Sequence, residues 1–152
     1  MDILDIKVIK DYIRMCNDGW EQGWHERNGG NLTYRMRGEE VEECRPFFKT
    51  DRPWVNMGVK ADNLKGEYFI ATGSGKFFRN VVLAPQDNIC IVEINEAGDS
   101  YRIVWGLCNG GRPKPLYEPQ RKKSRNKRRI SRYISRAPRK YYSPYLCFAP
   151  YR

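Results

Sequence analysis

Apolar side chains recur at alternating steps of three and four in the N-terminal part of the chain. This spacing is the period of an α-helix with one apolar stripe. We predict a helix from about Ile3 to Gly23 that packs this stripe against the core. The stripe consists of Ile6, Ile9, Ile13, Cys16 and Trp20.

Four later segments have the composition of β-strands, with apolar residues that alternate or cluster between turn signals. They are residues 32–37, 67–72, 88–94 and 100–107. The last two flank a short loop that contains a glycine, Asn95–Asp99, which predicts a hairpin. Consecutive strands without an intervening helix predict antiparallel pairing. The pattern therefore indicates an α/β or α+β layer.

Two other regions lack a clear period. Residues 38–63 are rich in charged and turn-forming residues, so we expect a long excursion with one short helix or strand. From Gly110 onward the periodicity vanishes, and residues 121–129 are nearly all cationic. We expect no core-forming element there, and hence a disordered basic C-terminal tail.

Charge divides the chain in the same place. The chain has 152 residues, enough for one modest domain, and a formal net charge of +10. The segment 112–152 holds 14 of the 28 basic residues and one of the 18 acidic residues, which makes it +13 and leaves the remainder at −3. A nucleic-acid partner, which a basic protein usually suggests, would therefore concern the tail alone.

The cysteines and the N-terminal segment indicate the cellular compartment of the protein. Five cysteines without a Cys-x-x-Cys pair favour a reducing environment. The chain opens with acidic residues and an amphipathic pattern, and no apolar run approaches the length of a membrane span. We expect a cytoplasmic protein that does not enter a membrane.

Two glycine-containing loops could bind an anion, because glycine lets the backbone approach a ligand and amide or hydroxyl groups donate hydrogen bonds. They are Asn28-Gly29-Gly30-Asn31 and Thr72-Gly73-Ser74-Gly75-Lys76. Taken singly, each string is more often an ordinary turn. The second is not a nucleotide P-loop, which requires glycine where Ile70 stands and serine or threonine where Phe77 stands.

Three strings occur in an order that resembles the class II aldolase/adducin family, and within it the rhamnulose-1-phosphate aldolases. They are Gly23–Thr33, Thr72–Asn80 and Val104–Leu107. The resemblance covers residues 1 to about 113. It implies an incomplete class II aldolase-type fold, with a central, largely antiparallel sheet flanked by helices, and leaves residues 114–152 as the basic tail.

The resemblance also implies a reaction and a site. The family cleaves L-rhamnulose 1-phosphate to dihydroxyacetone phosphate and L-lactaldehyde, on a homotetramer with one zinc per site. Its zinc stabilises the enediolate that forms when the carbon–carbon bond breaks. The positions that hold the phosphate of the dihydroxyacetone-phosphate moiety correspond here to Asn28, Asn31, Ser74 and Gly75.

The chain departs from the family after Leu107. The family continues to Pro-Thr-Ser-Glu, whose glutamate is the catalytic acid/base, whereas Pro113 is followed here by Lys114 and Pro115. The family then supplies three zinc-binding histidines, but His25 is the single histidine of this chain. We therefore expect no catalytic residue and no zinc ligands, and a chain that is inactive as written.

A frameshift accounts for both the loss and the charge of the tail. Codons can be chosen for Arg132 through Tyr141 such that a start one base later reads Val-Ile-Tyr-His-Ala-His-Pro-Ala-Asn, a zinc-ligand strand of the family's type. Two alternatives remain open. The basic tail with its tyrosines could make the chain a nucleic-acid-binding module, although an out-of-frame origin accounts for the basic run without selection. A non-catalytic scaffold of the adducin kind is the other.

Overall fold

The computed structural model describes residues 1–23 and 31–113, together with the backbone of Leu146–Phe148. In these ranges the chain forms three helices and six strands, joined in part by short 3-10 turns. The helices are α1 (Lys7–Glu21), α2 (Gly38–Cys44) and α3 (Pro85–Asn88). The strands are β1 (Leu32–Arg35), β2 (Val55–Asn56), β3 (Tyr68–Thr72), β4 (Ile89–Ile94), β5 (Ser100–Gly106) and β6 (Leu146–Phe148).

The six strands form one antiparallel sheet in the order β2-β5-β4-β3-β1-β6. The β4–β5 hairpin and the β3–β4 pair are antiparallel, as the absence of an intervening long helix predicts. The mixture of helices with an antiparallel sheet confirms the predicted fold class.

The N-terminal helix is shorter than its apolar stripe suggests. A 3-10 turn at Ile3–Asp5 precedes α1, and the extended backbone of Ile6 (ψ 135°) separates the two. Ile9 and Cys16 are fully buried, as predicted. Trp20 is 38% exposed, so the end of the stripe does not reach the core.

The core lies on both faces of the sheet. One face packs against α1 and α2, and the side chain of Ile70 belongs to it. Phe69 and Ala71, the neighbours of Ile70 along β3, point to the opposite face, as the two-residue period of a strand requires. The smaller cluster on that face consists of Phe69, Ala71, Cys90, Val92, Ile94 and Leu107.

The two regions without periodicity contain more order than the sequence predicts. The excursion 38–63 holds both a helix, α2, and a two-residue strand, β2. Within the tail, Leu146–Phe148 pairs with β1, whereas the sequence predicts no ordered element there. The remaining residues of the tail, 114–145 and 149–152, lie outside the described residues. None of the described helices is long and apolar enough to cross a membrane.

Candidate functional site

The register of β1 against β3 determines where Asn31 lies relative to the second glycine-containing loop. Thr33 pairs with Ala71 at the end of the antiparallel ladder, and the Leu32 N–H reaches the Thr72 side chain one step further on. Asn31 and the start of the loop that follows β3 therefore lie at the same end of the sheet. Asn28, the other predicted amide of the first loop, lies outside the described residues.

Two buried side chains hold the start of β1 in place. The Thr72 hydroxyl accepts a hydrogen bond from the Leu32 N–H at 3.3 Å. The Tyr12 hydroxyl, from α1, donates to the Leu32 carbonyl at 2.6 Å. Both backbone groups of the residue after Asn31 are thus bound by side chains, and this fixes where the first loop enters the sheet. Tyr12 does not belong to the predicted apolar stripe of the helix, so the sequence pattern does not indicate it. The hydrogen bond from Leu32 to Thr72 becomes evident only from the pairing of β1 with β3.

Asn31 carries an unsatisfied polar atom. Its Oδ1 is buried and has no hydrogen-bond partner in the described structure. Leaving a buried acceptor unpaired costs about 1–3 kcal/mol, so such atoms are rare in folded proteins. A ligand with a hydroxyl group, or a protonated phosphate oxygen, would satisfy it by donating a hydrogen bond.

The second loop is a tight turn in which two backbone N–H groups already donate hydrogen bonds within the protein. The Gly73 N–H donates to the Asn88 carbonyl and the Ser74 N–H to the Arg112 carbonyl, both at 2.8 Å. The Ser74 hydroxyl and the Gly75 N–H make no hydrogen bond to the described part of the chain. Gly75 is exposed with φ 75°, and a Cβ added to it would meet nothing within 4 Å. Among the described residues, none blocks an anion from this corner of the turn.

Asn88 holds the second loop in place through hydrogen bonds. It is 6% exposed, and its Nδ2 donates to the carbonyls of Ala84 at 2.7 Å and Asn80 at 3.3 Å. Its own carbonyl accepts from the Gly73 N–H, so Asn88 connects α3 to the loop. The sequence predicts Asn88 only as the start of a strand, because nothing in its local pattern indicates that its amide closes a turn.

A cavity of about 460 Å³ lies elsewhere, between α1, β1 and α2. Its lining includes Lys7, Tyr12 and Tyr34 but neither Asn31 nor any residue of the second loop. Its volume alone does not make it a site. The better candidate is Asn31, with its unsatisfied amide oxygen, together with the open turn of the second loop.

The described residues do not fit the zinc that the resemblance implies. In residues 1–23 and 31–113, no three side chains of His, Cys, Asp or Glu come close enough to hold a metal ion. The four cysteines in these ranges, Cys16, Cys44, Cys90 and Cys108, are free thiols. No step of a reaction can therefore be derived through a metal held by this part of the chain.

Comparison with known proteins identifies the family. The chain is 42% identical over 111 residues to the rhamnulose-1-phosphate aldolase of Yersinia pestis (strain Pestoides F), a match that covers 73% of this chain and 40% of that protein. It is 38% identical over 112 residues to the enzyme of the same name from Mannheimia succiniciproducens, covering 74% and 41%. The matched part of the chain belongs to the rhamnulose-1-phosphate aldolase family. No family model matches the chain.

A solved structure supports the fold of this rhamnulose-1-phosphate aldolase family member. The crystal structure of a sugar-phosphate aldolase from Thermotoga maritima superimposes with a TM-score of 0.51 and 21% sequence identity. The superposition covers 68% of this chain and 39% of that one. The chain spans about two fifths of the length of the curated relatives it matches.

Proposed function

We propose that this chain binds the phosphate group of a sugar phosphate, in the manner of the phosphate-binding part of a rhamnulose-1-phosphate aldolase. The ligand is the dihydroxyacetone-phosphate moiety of L-rhamnulose 1-phosphate. The contacts are Asn28, Asn31, Ser74 and Gly75. The observation that carries the proposal is the β1–β3 register, which puts the start of β1, directly after Asn31, beside the end of β3, directly before Gly73.

The chemistry of these groups suits a phosphate. Carboxamide, hydroxyl and backbone N–H groups donate hydrogen bonds to the anion, and a bond to a charged acceptor is stronger than one between neutral groups. The open side of Gly75 lets the phosphate approach the backbone, as glycines do in other anion-binding loops. The unsatisfied Asn31 Oδ1 adds an acceptor for a substrate hydroxyl.

Titration of the full chain with dihydroxyacetone phosphate, followed by amide NMR shifts, tests this proposal. We expect saturable shifts at Ser74 and Gly75. Asn31→Ala and Ser74→Ala should each weaken binding about tenfold or more, since a hydrogen bond to a charged group contributes about 1.5–3 kcal/mol. Asn63→Ala, at an exposed position, should leave the affinity unchanged. Unaltered affinity in Asn31→Ala, or no saturable shift at all, would contradict the proposal.

Binding without cleavage is the second part of the proposal. The family's catalytic glutamate and zinc ligands have no counterpart in this sequence after Leu107, and the described residues offer no metal site. Incubation of the same protein with L-rhamnulose 1-phosphate and added zinc should therefore release no L-lactaldehyde above background. Measured turnover would show that the tail supplies chemistry in some other way.

The tail itself we attribute to the family's catalytic region read one base out of frame. The abrupt change from a net charge of −3 to one of +13 at about residue 112 supports this origin. Read one base on from about codon 114, the nucleotide sequence should continue as an aldolase with a His-x-His string. A frame interrupted by stops and unrelated residues would rule the frameshift out. A selected tail would then be the better explanation, and tight, salt-sensitive DNA binding would support it.

A further inference from the structure

Leu107 has an unusual backbone for a buried leucine. Its φ of 46° lies in the left-handed region, which costs free energy for a residue with a Cβ. The side chain is nevertheless 2% exposed. Hydrogen bonds hold the backbone on both sides, from the Leu107 N–H to the Ile89 carbonyl at 3.1 Å and from the Gly110 N–H to the Leu107 carbonyl at 3.0 Å.

Gly106 shows why the chain turns here. Its φ is 84°, and an added Cβ would lie 2.2 Å from the Ile89 carbonyl oxygen. Only glycine permits this approach of β5 to the start of β4. This close approach brings the next residue, Leu107, near Gly73, which directly follows β3.

The Leu107 side chain ends under the second loop. Its Cδ2 lies 2.7 Å from the position that a Cβ on Gly73 would occupy, and Cγ of Lys76 lies 2.8 Å from the same point. Leucine thus packs against the bare Cα of the glycine that begins the turn. Strained backbone persists where the surrounding structure requires it, and such positions cluster at ligand-binding sites.

We propose that Leu107 is a positioning residue that sets the Gly73–Gly75 turn in the conformation that receives the phosphate. The inference rests on the proposed phosphate binding and adds a residue that touches no ligand. Leu107 fills the space below Gly73, while the Asn88 carbonyl holds the Gly73 N–H from one side. With a smaller side chain at position 107, the turn would move into the vacated volume and displace Ser74.

A double-mutant cycle on the full chain tests this role. The variants are Leu107→Ala, Gly73→Ala and the combination of both, with the dissociation constant for inorganic phosphate and the melting temperature as readouts. We expect each single change to weaken phosphate binding at least tenfold. The double variant should lose less than the product of the two, since the new methyl group fills part of the space that leucine vacates.

Matched controls separate positioning from stability. Leu83→Ala makes the same truncation at a side chain that is 80% exposed, and Gly38→Ala adds a Cβ where nothing lies within 4 Å. Both should keep the wild-type affinity. Leu107→Met keeps an apolar side chain of similar volume and should bind phosphate within about threefold of wild type, even if its melting temperature falls.

The outcomes distinguish the two proposals. Wild-type protein that shows no saturable binding of phosphate overturns the proposed function, and the inference with it. Wild-type protein that binds, with Leu107→Ala and Gly73→Ala unchanged in affinity, overturns the inference alone. If Leu107→Ala fails to fold, Gly73→Ala still decides, because a merely structural leucine predicts an altered melting temperature and an unaltered phosphate affinity for that variant.

Discussion

Thr72 shows how one hydroxyl can determine the geometry of a binding loop. It is 1% exposed, and its Oγ1 is the partner of the Leu32 N–H. A buried N–H that loses its acceptor costs the full desolvation penalty of that group. The hydroxyl therefore contributes to stability and to the position of Asn31, which directly precedes Leu32.

Thr72→Val should expose this dependence. Valine keeps the shape of the side chain but removes the acceptor, so the Leu32 N–H stays buried and unpaired. We expect a loss of about 1–3 kcal/mol in the free energy of unfolding, measured by urea denaturation. Thr72→Ser retains the hydroxyl and should lose less. Equal stability of the valine variant and the wild type would show that Leu32 finds another partner.

At this scale the sequence predicts residue types better than it predicts roles. Asn31, Ser74 and Gly75 follow from loop composition and family resemblance, and their part in binding stays a prediction. Leu107 belongs to a resemblance string, but its left-handed backbone depends on contacts with Ile89 and Gly110. Such a role arises from packing between residues that are distant in the chain, which local pattern does not report.

Among the elements, β3, β4 and β5 are predicted well because their apolar pattern is strong and their neighbours in sequence are their neighbours in the sheet. One detail of the hairpin escapes prediction. Ile91 pairs with Trp105 while Val92 pairs with Ile103, so β5 carries an extra residue at Val104. A bulge of this kind bends the strand, and it sits shortly before the Gly106 approach.

The excursion 38–63 is harder to predict because side chains far along the chain fasten it. Arg102 of β5 donates to the Thr50 carbonyl at 3.0 Å, and its guanidinium stacks 4.4 Å from the centre of the Trp54 ring. Arg102 also pairs with Glu93 at 2.6 Å, with both side chains largely buried. The position of β2 at the sheet edge therefore depends on residues about fifty positions away, and no local period encodes it.

At the scale of the whole molecule, the chain joins a family member's loops to a segment of different composition. The order of three short strings is enough to predict the family, because each string is weak alone and the three together are distinctive. The charge boundary near residue 112 coincides with the loss of family likeness. The division into residues 1–113 and a separate basic tail, residues 114–152, stays a prediction.

The buried thiols give the whole fold a characteristic dependence on pH. Burial raises the pKa of Cys90 from its ordinary value of 9.0 to about 12 and that of Cys44 to about 11. Burial raises the pKa of Cys16 as well. A group with a raised pKa contributes stability that is fully present below its unfolded-state pKa and is lost as pH rises towards the folded-state value. The window of loss therefore opens near pH 9.

Alkaline unfolding should follow from these thiols. Each buried thiol lowers the free energy of unfolding by up to about 1.4 kcal/mol per pH unit above pH 9, because the unfolded chain releases a proton that the folded chain retains. Urea denaturation between pH 7 and pH 10.5, under reductant, should show a flat region followed by a fall. Cys90→Ala should make this fall shallower, whereas Leu83→Ala, which truncates an exposed side chain that does not titrate, should leave its slope unchanged. Equal slopes in Cys90→Ala and wild type would mean that Cys90 ionises in the folded state, and that the core around β4 admits water.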